Sequence, residues 1–147
     1  MTTDVITVGP TATLRDIAYL LVEERISAVP VVDPKEGLLG MINERALIKM
    51  PLPSCLELLG DNFYLPDVDV YRKKLLEGLS ESVLDHLIEA HTFSYDTPIT
   101  QIAATMISKN IREGVIMKEA EIVGIISKSD IVRAMINANQ SNNGIEE

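Results

Sequence analysis

One pattern is written twice in this chain, and that duplication limits the fold more than any other feature. The first copy runs Thr7-Val8-Gly9-Pro10-Thr11-Ala12-Thr13-Leu14, then Asp16-Ile17-Ala18, then Ile26 to Asp33, then Gly40-Met41-Ile42-Asn43. The second runs Thr92 to Ile99, then Gln101-Ile102-Ala103, then Ile111 to Met117, then Gly124-Ile125-Ile126-Ser127. The offset is 85 for three blocks and 84 for the last, so one residue is missing from a loop. A constant offset means one supersecondary unit used twice. Two such units are expected to pack on each other around a pseudo-twofold axis, with ligand-sized clefts between them. The copies differ after the glycine. Copy two reads Ser127-Lys128-Ser129-Asp130, whereas copy one reads Asn43-Glu44-Arg45-Ala46.

Within copy one, Val5 to Val8 reads as a short strand ended by Pro10. Thr13 caps a helix in which Ile17, Ala18, Leu20, Leu21 and Val22 recur at helical spacing. Ala28 to Val32 and Leu38 to Ile42 read as buried strands joined by a hairpin-sized loop, and Asn43 can cap a helix to about Lys49. The order is strand, helix, strand, strand, helix. Copy two repeats it, with a helix after Thr97-Pro98, strands at Val115–Met117 and Ile122–Ile126, and a last helix capped by Ser127. The polar end, 139–147, reads as a disordered tail. Residues 51–84 separate the copies and are too apolar for a flexible linker. Leu56, Leu58 and Leu59 suggest a short helix ending at Gly60, followed by a turn at Tyr64-Leu65-Pro66. Val70, Leu75, Leu76 and Leu79 suggest a second helix, and Ser80 could cap a third reaching about Ile88. This insertion is expected to pack on the repeats or on a second subunit. The expected segments are repeat one at 4–50, the insertion at 51–84, repeat two at 85–138 and the tail at 139–147.

Composition removes several classes of function. The 147 residues suit one compact domain or two intimate halves, and the 46% apolar share can bury a core. The net charge of −9 is wrong for neutralising phosphates, so no nucleic acid is expected as partner. No run of 18 apolar residues exists, so no membrane span is expected. The opening Met1-Thr2-Thr3-Asp4 lacks the signature of a signal peptide, and Cys55 is the one cysteine. A reducing cytoplasmic setting is the expectation.

With these blocks in hand, the chain resembles a tandem cystathionine β-synthase-type (CBS) domain pair, also called a Bateman module. The residues that carry the likeness are Ile26-Ser27-Ala28-Val29-Pro30-Val31-Val32-Asp33 and Gly124-Ile125-Ile126-Ser127-Lys128-Ser129-Asp130-Ile131. The insertion resembles the helical segment between the copies in some bacterial stand-alone members. The likeness implies an α/β fold of two β-α-β-β-α repeats packed with pseudo-twofold symmetry. It implies an adenosine-containing ligand, AMP, ADP, ATP or S-adenosylmethionine, with no further cofactor. It also implies a homodimer formed through the helices, here the exposed faces of the Leu14–Glu24 and Asp130–Ile136 segments, and a regulated effector protein encoded elsewhere. By this resemblance, Asp130 accepts both ribose hydroxyls, Ser127 begins the motif, and Ser129 lies near phosphate or ribose. Ile6, Ile26 and Ser27 frame the adenine, Ile125 neighbours the base, and Arg112 points toward phosphates. Relatives often carry His-Arg or Asn-Arg where this chain has Arg112-Glu113, and often proline at Gly114. Glu113 would repel a polyphosphate if it faced the cleft, although a solvent-facing carboxylate is the simpler reading. Gly114 is expected to loosen this edge.

The chemistry is reasonable in its own right. A vicinal diol offers two O–H donors, and a carboxylate accepts both through charge-assisted bonds. A Ser-x-x-Asp at a strand-to-helix junction also sits beside free backbone N–H groups that favour a phosphate. The plain alternative is that Ser127 is a helix cap and Asp130 an acidic first-turn residue. Copy one has no acid at Ala46, so its site is expected to be weak or empty. Other candidates are weaker. His86 and His91 have the wrong spacing for a shared metal, and none is expected. Asp67 and Asp69, and the run Arg72-Lys73-Lys74, read as solvated surface. Cys55 has no neighbour in sequence to lower its pKa and reads as structural. There is no phosphate-cradling glycine loop and no paired acid and base, so catalysis is not expected. A regulatory ligand sensor leads, and an interaction scaffold with an unused cleft is the alternative.

Overall fold

The computed structural model describes residues 3–52 and 67–144. The described residues of Thr7–Glu89 form one compact unit, and those of Met1–Ile6 with Ala90–Glu147 form the other. In the first unit, α1 (Leu14–Glu23) leads to β1 (Ala28–Asp33), β2 (Gly37–Asn43) and α2 (Glu44–Lys49), followed later by α3 (Val68–Gly78) and a 3₁₀ turn at Val83–Asp85. In the second, β3 (His91–Ser94) leads to α4 (Ile99–Ser108), β4 (Glu113–Lys118), β5 (Glu121–Ser127) and α5 (Lys128–Gly144). The fold is α/β in both, as the sequence implies.

Local chemistry explains these elements. The Asp16 carboxylate accepts the backbone N–H of Thr13 at 2.9 Å and its hydroxyl at 3.3 Å, which fixes the start of α1. β1 and β2 pair antiparallel, as do β4 and β5, while β3 lies parallel to β4. The duplication reaches into irregularities. Arg25 and Asn110, each just past the first helix of its copy, both adopt positive φ, 55° and 53°. Both hairpins bulge at the same step, between Val31 and Val32 and between Ile116 and Met117. The missing residue lies in the hairpin loop, which holds residues 34–36 in copy one and residues 119–120 in copy two.

Each unit has its own core. Ile17, Val29, Val31, Ile42 and Val83 close the first, and Ile102, Met106, Ile111, Ile116 and Ile126 the second. Val83 comes from the insertion, whose C-terminal leg is sewn onto copy one. The N–H groups of Leu14 and Arg15 donate to the carbonyls of Glu81 and Leu79, and Val83 N–H donates to Ala12 O. Met41 and Ile88 exchange two backbone bonds of 2.9 and 2.8 Å across the outer edge of β2. Gly40 permits that approach, because a Cβ there would stand 2.7 Å from Ile88 O. α3 is also anchored, through Tyr71 Oη donating to Ile48 O at 2.8 Å.

Several expectations need correction. The strand at Val5–Val8 shrinks to one parallel bridge from Val8 to Val31, because Gly9-Pro10 follows at once and ends the pairing. The third insertion helix is only the turn at Val83–Asp85, capped by Ser82 rather than Ser80. The N–H and C=O of Ile88 are taken by Met41 in β2, so the turn does not run on into a longer helix. α5 runs to Gly144, beyond the residue 139 at which a disordered tail was expected. Nothing from Ala138 to Asn143 is a proline or glycine that would break the helix. Gly114 lies buried on the central strand rather than at a sheet edge, and a Cβ there would meet the Phe93 ring at 2.6 Å, so a larger residue would have to displace that ring. The expected helix at Leu56–Gly60, the turn at Tyr64–Pro66 and Cys55 lie outside the described residues.

Candidate functional site

Ser127 ends β5 and immediately precedes α5, so the Ser-x-x-Asp motif does fall on a strand-to-helix junction. The Asp130 N–H donates to Ser127 Oγ at 3.3 Å. In return, Asp130 Oδ2 accepts Ser127 N–H at 2.9 Å and the Ser127 hydroxyl at 3.1 Å. This is a reciprocal capping box. Asp130 Oδ1 accepts Arg133 Nη1 at 2.9 Å. The Asp130 side chain is 15% exposed and that of Arg133 65%. Partial burial pushes the Asp130 carboxyl up, but the Ser127 N–H and hydroxyl, with Arg133, outweigh it and hold it below the usual carboxylate value. Asp130 is therefore an ionised acceptor at neutral pH.

The other expected residues divide between the units. Ile6, Arg112, Ile125 and Ser129 belong with Ser127 and Asp130, whereas Ile26 and Ser27 belong to the first unit. Ile6 and Ile125 are half-buried, and Arg112 and Ser129 are exposed. Ser129, Val132, Arg133 and Ile136 line an open depression along α5. Ile26 packs partly against the first core. Ser27 is exposed, and its carbonyl accepts Glu44 N–H at 3.1 Å. Glu113 is half-buried. It pairs directly with Ser127 across β4 and β5, which sets the two side chains on one face.

At the matching junction of copy one, Asn43 is buried and its Oδ1 accepts Ala46 N–H at 3.1 Å. Ala46 packs on the core and offers no acceptor side chain. Among the weaker candidates, Asp67 caps α3 by accepting Val70 N–H at 2.9 Å. Arg72, Lys73 and Lys74 are exposed. His86 meets Glu81 at 2.7 Å. Among the described residues no group of three or more His, Cys, Asp or Glu could hold a metal ion, and no helix is long and apolar enough to cross a membrane. The residue that sequence reasoning missed is Arg133. Its signal was a basic side chain three positions after the acid on one helix, a spacing that puts the two on the same face.

The CBS domain family model matches residues 1–52 and 84–137, and the chain belongs to that family. A Methanopyrus kandleri protein, MK0525, described as uncharacterized, is 29% identical over 131 residues, 88% of this chain and 57% of the relative. The chain thus spans little more than half of that relative's length. Among solved structures, the AcuB protein of Vibrio cholerae matches with a TM-score of 0.73 at 21% identity, covering 100% of this chain and 94% of that one. CBSX2, a CBS-pair protein of Arabidopsis thaliana, matches with a TM-score of 0.73 at 19% identity, covering 95% and 93%. A CBSX2 structure in complex with AMP matches with a TM-score of 0.70 at 18% identity, covering 95% and 94%. At these identities the solved structures speak for the fold. CBS-domain pairs are in general regulatory modules rather than enzymes.

Proposed function

We propose that this chain is a regulatory module that binds an adenosine-containing ligand, AMP, ADP, ATP or S-adenosylmethionine, through its second repeat and modulates a partner protein. The observation that carries the reading is Asp130, an ionised and mostly buried carboxylate at the first turn of α5, preceded by Ser127. Such an acceptor suits a ribose diol, and the neighbouring helix start suits a phosphate. The AMP held by CBSX2, a protein of the same fold, supports this ligand class. Ser129, Ile125, Ile6 and Arg112 are proposed to complete the contacts from the same unit. The lack of an acid at Ala46 supports one competent junction per chain.

We also propose a homodimer through the helices. Its support is a repeated exposure of apolar side chains at matching positions. Val22 and Ile107 are 74% and 70% exposed, and Ile48 and Val132 are each 58% exposed. Isothermal titration with the four ligands tests the main reading. Binding is expected for at least one, with a loss of tenfold or more in Asp130→Ala, whose fold is checked by circular dichroism. Undiminished affinity in that variant would place the ligand elsewhere. An interaction scaffold remains the second reading, favoured by the engagement of both Asp130 oxygens within α5 and its cap. It expects no thermal shift with any of the four ligands.

A further inference from the structure

We propose that Arg133 is an internal competitor for the sugar-accepting oxygen of Asp130, so that a diol can be gripped at this junction only as the guanidinium leaves. The inference rests on the reading of Asp130 as the diol acceptor. Each carboxylate oxygen offers about two lone-pair directions. Oδ2 already receives two donors from Ser127, the N–H and the hydroxyl, at 2.9 and 3.1 Å. Oδ1 receives Arg133 Nη1 at 2.9 Å. Among the described residues, these three donors leave one acceptor direction for a ligand that brings two donors. Releasing Ser127 would uncap α5, whereas releasing Arg133 breaks one ion pair.

That pair is built to yield. The Arg133 side chain is 65% exposed, and such pairs are weak and screened by salt. The arrangement is confined to the copy that carries the acid. At the matching place of copy one, Lys49 lies three residues after Ala46, which has no carboxylate. Arg133 therefore acts as a positioning residue. It holds the carboxylate in place when no ligand is bound and gives way when the diol arrives.

The test is titration of the whole chain with adenosine, which carries no charge of its own, at low and high NaCl. Arg133→Met keeps the apolar stem and removes the competitor, and it is expected to tighten adenosine binding about two- to fivefold. Raising salt screens the pair, so affinity of the unmodified chain is expected to rise toward that of R133M, with the gap between them closing. Arg133→Lys, which keeps the charge, is expected to behave as the unmodified chain. Arg133→Gln gives a second uncharged variant should R133M fold poorly. Equal affinities and equal salt dependence in all variants would overturn the competitor while leaving Asp130 as the acceptor. Adenosine and AMP heats absent from the unmodified chain and from R133M alike would overturn the ligand reading and this inference with it.

Discussion

Asp130 is held by its own cap, and that gives its charge a measurable role in stability. Its carboxyl lies below the ordinary 3.8 in the folded chain. A depressed folded value means that the stabilisation is present at neutral pH and is lost as pH falls from the unfolded value through the folded one. Asp130→Asn is therefore expected to cost about 0.5–2 kcal/mol at pH 7, in line with other N-terminal helix contacts. The difference from the unmodified chain should narrow in melts carried out below the 3.8 of the free carboxyl. A gap of the same size at both pH values would mean that the charge contributes nothing. The Ser-x-x-Asp spacing was legible in the residues because it is local. The commitment of both oxygens was not, since it depends on rotamers that spacing does not choose. Gly114 shows the same limit. Its meaning lies in the Phe93 ring from another strand, which no local pattern reveals.

At the scale of elements, helices and hairpins with a strong period were readable, down to a shortened loop inferred from an offset that drops by one residue. The leg that follows α3 was not. Ser80 has the chemistry of a cap, but in the fold the backbone of residues 80–88 answers Leu14, Ala12 and Met41 instead of closing a helix. Tertiary hydrogen bonds outweighed a weak local propensity. Gly40 is the residue on which this attachment depends. Gly40→Ala would push a methyl group onto a backbone carbonyl that cannot rotate away, at 2.7 Å from Ile88 O. The expected loss is about 1–3 kcal/mol, typical of overpacking, read from denaturant midpoints. A neutral result would mean that the Met41–Ile88 contact is easily given up.

For the whole molecule, the two cores make a prediction about cooperativity. Val83 is fully buried and closes the first core from outside its repeat. Val83→Ala removes buried methyl groups and is expected to cost about 2 kcal/mol. If each core opens as its own unit, hydrogen exchange should quicken at Val29, Val31 and Ile42 while Val115 and Ile116 keep their protection. Equal loss in both sets would mean a single cooperative block. The duplication itself was plain in the sequence, since a constant offset survives substitution. The allegiance of the insertion was not, because it is decided by which hydrogen-bonding groups copy one leaves open.

The bonds between Met41 and Ile88 also bear on how other chains can meet this one. A passing extended peptide finds the rail beside β2 already taken at that point by the chain's own residues. Lengthening of the sheet by a foreign strand is blocked there. A visitor on that side must recognise side chains, so its sequence, and not merely its backbone, decides whether it stays.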